Sequence, residues 1–180
     1  KINNKKLILF KGVYKMATAI FFASSTGNSE EIANKISAAL NDIQVFDLAG
    51  TKIEKINEYD KLILGSSTWG DGELNDDWED AWSDFCKLDL SNKTIALFGL
   101  GDQESYSDEF CSAMGILYEQ VAKSTAKVIG FTSVDGYYHD SSKAQIDDKF
   151  VGLAIDEDNQ SDLTDERITN WIDNIKGDIL

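Results

Sequence analysis

Five short apolar runs, spaced by amphipathic stretches, limit what this chain can become more than any other feature. They are "TAIFFA" (18–23), "QVFDL" (44–48), "KLILGS" (61–66), "TIALFG" (94–99) and a divided fifth, "KVIGFTS" (127–133) with "FVGLAID" (150–156). Runs this brief, continuously apolar and rich in branched or aromatic residues predict strands buried on both faces, as in parallel sheets. Between them the apolar residues recur at helical spacing: Ile32, Ile36 and Leu40; Leu74, Trp78, Trp82 and Phe85; Phe110, Met114, Leu117 and Val121; Ile168, Trp171, Ile172 and Ile175. The stretch 51–60 reads as a shorter helix or turn. Alternating strands and helices predict an α/β fold, a doubly wound parallel sheet with right-handed crossovers that place helices on both faces. At 180 residues the chain suits a single domain with a real core and is too short to divide comfortably into two.

In open α/β sheets, ligands bind beyond the C-terminal ends of the strands. Three loops there carry unusual residues. After the first run comes "SSTGNS", residues 24–29, leading straight into a helix. Unpaired N–H groups and a positive partial charge at that helix start suit a phosphate. Ser24, Ser25, Thr26 and Ser29 would add hydroxyls, Asn28 an amide, and Gly27 a backbone free to close round the anion. An alternative is a plain helix cap made by Ser29 or Asn28. The segment lacks the lysine of a Walker A loop and the three glycines of a dinucleotide fingerprint. After the third run, "STWGDG" (67–72) holds Trp69, which falls on no helical or strand stripe. After the fourth, "GLGDQESY" (99–106) holds two glycines, Asp102 and Tyr106. Tyr106 reads either as a second aromatic wall or as a helix-start residue packing on its neighbours. Two aromatics flanking one slit suit a flat heteroaromatic ring.

Charge narrows the partners. The chain has 17 Lys+Arg and 32 Asp+Glu, but five of the lysines lie in residues 1–15, which hold no acid; from Met16 onward 12 basic residues face 32 acidic ones, a net of −20. Such a surface repels nucleic acid and anionic lipid and attracts basic protein faces. No stretch approaches the ~18 apolar residues of a membrane span. The apolar run Leu7–Phe10 is shorter than the ~7–15 residues of an export signal. Residues 1–15 are therefore expected to be a disordered extension, with the domain at 16–180. Cys86 and Cys111 are isolated and are expected to remain thiols in a cytoplasmic protein. His139 is the sole histidine, with no nucleophile at useful spacing, and no metal-ligand cluster is evident.

The segments "SSTGNSEEIA", "STWGDGELNDDW", "FGLGDQESY", "TSVDGYYHDSSKA" and "FVGLAIDEDNQSDLTDERI" resemble flavodoxins of the long-chain type, over Met16 to the C-terminus. The resemblance implies a five-stranded sheet of order 2-1-3-4-5, an order the pattern itself does not supply, and an insertion near residues 132–149 that interrupts the fifth strand. It implies one tightly held, non-covalent FMN. The phosphate would lie on Ser24, Ser25, Thr26, Gly27, Asn28 and Ser29, with Trp69 over one ring face and Tyr106 over the other. Backbone of Ser67, Thr68, Gly70, Asp71 and Gly72, and of Gly99, Leu100, Gly101 and Asp102, would meet the ring edges, and Asp158 would lie near the phosphate or ribityl chain. Many relatives have Pro where this chain has Ser67, which implies a more mobile start to the Trp69 loop. The implied function is low-potential one-electron carriage, without catalytic residues, as a monomer between a basic-surfaced reductase and an acceptor oxidoreductase. An FMN-dependent quinone or nitro reductase of the same fold, or a flavin-free interaction module, are the alternatives.

Overall fold

A computed structural model describes residues 18–180; the extension expected at 1–15 lies outside the described residues. The main sheet contains β1 (Thr18–Ala23), β2 (Gln44–Asp47), β3 (Lys61–Ser67), β4 (Thr94–Leu100) and β5 (Lys127–Ile129), in the parallel order β2-β1-β3-β4-β5. Its helices are α1 (Asn28–Ala39), α2 (Asp76–Phe85), α3 (Ser112–Val121) and α4 (Thr164–Ile179), and Ile53–Glu58 forms a 3-10 turn.

The continuous burial of the strands follows from the two faces of the sheet. Successive side chains point to opposite faces. Ala19, Phe21, Leu62, Leu64, Ile95 and Leu97 therefore enter one core, with Trp78 and Phe85 of α2 and Met114 and Leu117 of α3. Ile20, Phe22, Ile63, Ala96 and Phe98 enter the other, with Ile32 and Ile36 of α1 and Ile168, Trp171 and Ile175 of α4. Leu74 and Phe110 are buried as their stripes predict but precede α2 and α3 rather than lying on them. Trp82 is only half-buried, packed against the first core.

The fifth strand is divided. β5 pairs with Thr94–Ala96 of β4, while β9 (Leu153–Ile155) continues the same position against Phe98–Leu100. Between the halves, residues 130–152 carry β6 (Thr132–Ser133), β7 (Gln145–Ile146) and β8 (Lys149–Phe150), a three-stranded antiparallel patch of order β6-β8-β7. The interruption starts earlier and ends later than the sequence suggests. At Gly130 the chain turns away, and its carbonyl accepts the Trp171 indole N–H at 2.8 Å instead of extending the ladder. His139 is half-buried: its ring packs against Phe110 and Phe150 at 5.4 and 5.1 Å and meets Gln145 Oε1 through Nε2 at 2.7 Å.

Register brings the strand ends into line. Ala23 pairs with Ser66, Ser67 with Leu100, and Leu100 with Ile155. The loops that follow β1, β3, β4 and β9 therefore leave the sheet along one edge.

Candidate functional site

Along that edge lies a cleft of about 420 Å³ whose lining includes Thr26, Asn28, Ser67, Thr68, Trp69, Gly70, Leu100, Gly101, Asp102, Tyr106 and Asp158. This is within the range of small-molecule sites, about 300–1,000 Å³.

The first loop is built as an anion seat. Gly27 occupies the N-cap of α1 at φ 95°, a conformation L side chains rarely adopt, and no side chain of the described residues caps the helix. The sequence alternative of a Ser29 or Asn28 cap is therefore not realised. Glu31 N–H is the first to bond back into the helix, to Gly27 O at 3.0 Å, so the amides of the first turn before it have no intrahelical acceptor. Ser29 is 1% exposed, and its hydroxyl has no partner among the described residues. An unsatisfied buried hydroxyl costs about 1–3 kcal/mol, which an anion in the loop would offset. Ser24, Ser25, Gly27 and Ser29 do not line the cleft itself; they neighbour Thr26 and Asn28 in the chain.

The second loop is a tight hairpin. Trp69 N–H donates to Glu73 O at 3.0 Å and Glu73 N–H to Trp69 O at 2.7 Å, which leaves Gly70, Asp71 and Gly72 as the turn. Gly70 has φ 48° and lines the cleft; Asp71 is exposed outside it. Gly72 is instead buried against the third loop: a Cβ there would fall 2.0 Å from Glu109 Oε2. Trp69 is 42% exposed although it is a large apolar residue. Its indole N–H donates to Ser67 Oγ at 2.8 Å. A proline at 67 has no such acceptor, so Ser67 tethers the Trp69 ring, contrary to the loosening expected of it. Thr68 N–H donates to Leu100 O at 2.9 Å, and Thr68 Oγ1 accepts from Ala113 N–H at 3.2 Å, which binds this loop to the next.

The third loop turns on Asp102. Its Oδ1 accepts the N–H groups of Glu104 and Ser105 at 3.0 and 2.9 Å and the Asn159 amide at 2.8 Å. That turn presents Tyr106, which is 58% exposed and precedes α3 by several residues, so the helix-start reading fails. The insertion holds the loop from outside: Ser107 Oγ donates to Asp140 Oδ2 at 2.6 Å, and Gln103 Oε1 accepts Tyr138 N–H at 2.6 Å. Gly99 does not reach the cleft. It lies within β4 beneath α3, where a Cβ would meet that of Met114 at 2.7 Å.

Two lining residues escape a reading by motif, Glu109 and Glu157. Glu157 precedes Asp158, and Glu109 follows Tyr106 by three residues, a proximity that could have suggested both. Among the described residues the lining thus holds four carboxylates and no Lys or Arg. Lys143 approaches only from outside, 3.2 Å from Glu109. Burial, reinforced by Asp102 and Asp156, pushes the Asp158 carboxyl up. Burial also pushes Asp102 up, but hydrogen bonds from Ser105, Asn159 and Glu104 outweigh it and lower the carboxyl to about 2 from its ordinary 3.8. A depressed folded value stabilises the fold above the unfolded value and loses that contribution as pH falls through the folded one. The wild type is thus expected to lose more stability between about pH 4 and 2 than Asp102→Asn, as urea unfolding at each pH would show. Parallel loss in both proteins would remove the effect.

Compared with known proteins, residues 20–171 match the sequence profile of the flavodoxin family. A flavodoxin from Picosynechococcus sp. is 48% identical over 160 residues, covering 87% of this chain and 94% of that one. Another, from Helicobacter pylori, is 47% identical over 158 residues, covering 88% and 95%. The crystal structure of Fusobacterium nucleatum flavodoxin bound to flavin mononucleotide aligns with a TM-score of 0.86 at 34% identity, covering 91% of this chain and 99% of that one.

Proposed function

Because the chain belongs to the flavodoxin family, we propose that its three strand-end loops divide the holding of one flavin mononucleotide between them. The protein is an electron carrier that uses FMN, and a quinone or nitro reductase of the same fold is not favoured. Bound in the cleft, FMN supplies the one-electron chemistry that no side chain here offers.

The observation that carries the assignment of residues is the pair of exposed aromatics, Trp69 and Tyr106, on separate loops of one cleft beside an uncapped helix start. A monomeric chain that left them to water would expose large apolar surface without use. Trp69 and Tyr106 each cover a face of the ring and keep water from it. The N–H groups of α1's first turn and the hydroxyls of Ser24, Ser25, Thr26 and Ser29 take the phosphate, with no cationic side chain among the described lining residues. Backbone at Ser67, Thr68, Gly70, Leu100, Gly101 and Asp102 faces the ring edges, with Asp71 on the outer side of the turn. Asp158 lies at the phosphate or ribityl side, and Glu157 beside it.

The carboxylates oppose the arrival of negative charge in the cleft. Each unit charge ~10 Å away contributes about 0.4–1.7 kcal/mol for effective dielectrics of 80 to 20, which supports a low potential. Non-covalent binding of one FMN is tested by acid release and chromatography. One FMN per chain is the expected result; FAD, or no flavin after reconstitution, would overturn it.

The family works by passing electrons between redox partners, and the acidic rim supports basic faces on both a reductase and an acceptor. Asp71, Glu73, Asp76, Glu79 and Asp80 follow Trp69 closely in the chain and are exposed, and Asp77 is half-buried among them. Burial, then Asp47, Asp80 and Asp76, pushes the Asp77 carboxyl up, a sign of crowded like charge. Electron-transfer rates with a basic partner are expected to drop about tenfold or more as salt rises from ~10 mM to ~150 mM, which shortens the screening length from about 30 to 8 Å. Rates indifferent to salt would refute docking by charge. Two free cysteines, Cys86 exposed and Cys111 buried, support a reducing compartment such as the cytoplasm. No described helix is long and apolar enough to cross a membrane.

A further inference from the structure

Asn75 is fully buried, is outside the cleft lining, and commits both ends of its amide to other parts of the chain. Its Oδ1 accepts the Asp77 N–H at 3.1 Å and so caps α2. Its Nδ2 donates to Ser25 Oγ at 2.7 Å, fifty residues earlier, in the loop between β1 and α1. The direction of this chain of bonds is not open. A backbone N–H only donates, so the atom facing Asp77 is the amide oxygen; the atom facing Ser25 is then the NH₂ group, which also only donates. Ser25 Oγ must accept, and its own proton is left for something else.

Resting on the flavin reading, we propose that Asn75 is a positioning residue for the bound phosphate: by holding Ser25 as an acceptor on the protein side, it turns the Ser25 hydroxyl proton toward the anion. Ser24 has the same polarity, since its Oγ accepts the Gly27 N–H at 3.1 Å. Two hydroxyl protons thus remain for one phosphate monoester, beside the Ser29 hydroxyl, which has no partner among the described residues, and the open amides of α1. Capping α2 alone does not call for Asn. Ser, Thr or Asp would accept the Asp77 N–H equally well, but none of them brings a donor that must face Ser25. Burying an amide is unfavourable unless both its ends are bonded, and here the second bond ends on the anion loop.

The test compares FMN with riboflavin, which has the same ring and no phosphate. Dissociation constants are read from the fluorescence of flavin released on dilution of the loaded full-length chain. Asn75→Ser keeps a cap but cannot reach Ser25. Asn75→Asp keeps cap and size but becomes an acceptor, toward which Ser25 would turn its proton. Ser25→Ala, at an exposed position, removes the hydroxyl with little risk to folding. Each variant is expected to weaken FMN about tenfold or more, the range for a hydrogen bond to a charged group, while riboflavin changes less than about twofold. In the Ser25→Ala background, Asn75→Ser should add no further loss specific to FMN, since the two act as one unit. Equal weakening of both flavins would reduce Asn75 to a helix cap and overturn the inference. Unchanged FMN affinity in Ser25→Ala would overturn it as well, even if the Asn75 variants fail to fold. Failure of the flavin reading would appear separately, as a wild-type chain that holds neither flavin.

Discussion

Trp69→Ala is expected to weaken FMN binding about 5- to 150-fold while hardly changing the stability of the flavin-free chain. The estimate takes stacking of a flat heterocycle on an aromatic ring as worth about 1–3 kcal/mol. The folded chain gains little from this side chain without flavin: Trp69 is 42% exposed and its side-chain hydrogen bond to Ser67 is on the surface. Surface substitutions of this kind usually change stability by less than about 0.5 kcal/mol. Trp69→Phe should recover most of the affinity, because a ring remains although the tether to Ser67 is gone. Flavin fluorescence on titration gives the affinity, and urea unfolding without flavin gives the stability. Unchanged FMN affinity in Trp69→Ala would remove Trp69 from the ring's face.

Trp78→Ala, nine residues further on, should give the opposite result. Trp78 is fully buried, packs edge-on against Phe85 at 5.2 Å between ring centres, and donates its indole N–H to Gly65 O at 2.8 Å. Truncating a buried Trp to Ala costs about 3–5 kcal/mol, out of the ~5–15 kcal/mol that holds a domain of this kind together. The flavin-free variant is therefore expected to unfold at a much lower urea concentration, or to be unfolded at 37 °C. Excess FMN should restore part of the loss, about 2.7 kcal/mol at a hundredfold excess over Kd, because ligand binds only the folded state. Unfolding midpoints with and without FMN would show both effects. A flavin-free midpoint equal to that of the wild type would mean that α2 does not anchor the sheet through this residue.

The two tryptophans mark what a linear reading can reach. Trp78 falls on the stripe that continues to Phe85, and Trp69 falls on none. Periodicity alone therefore assigns one to the core and leaves the other for the cleft. The same reasoning reaches the α/β architecture, because a strand such as Thr18–Ala23 can be apolar at every position only when both faces of its sheet are covered. It also reaches the loops after β1, β3 and β4, since an off-pattern aromatic or glycine at a strand end is visible in sequence. The strand order came from likeness to a family, because nothing in the spacing of apolar runs says which strand lies beside which.

Tertiary structure alone decided whatever depends on distances between loops far apart in the chain. Gly72 and Gly99 look like partners of Gly70 and Gly101 in sequence, yet one lies against Glu109 and the other beneath Met114. Their roles depend on how close the next element comes, which local pattern does not encode. Ser67, read as a loosened proline position, became a tether because the Trp69 ring folds back over it. Nothing in the local sequence pairs Asn75 with the first loop; only the register of β1 with β3 carries Ser25 to 2.7 Å from its amide. Side-chain periodicity is set by the 3.6- and 2-residue repeats of the backbone and can be read along the chain. The meeting of residues 25 and 75 is set by the packing of a whole sheet, so it exists only in the folded molecule.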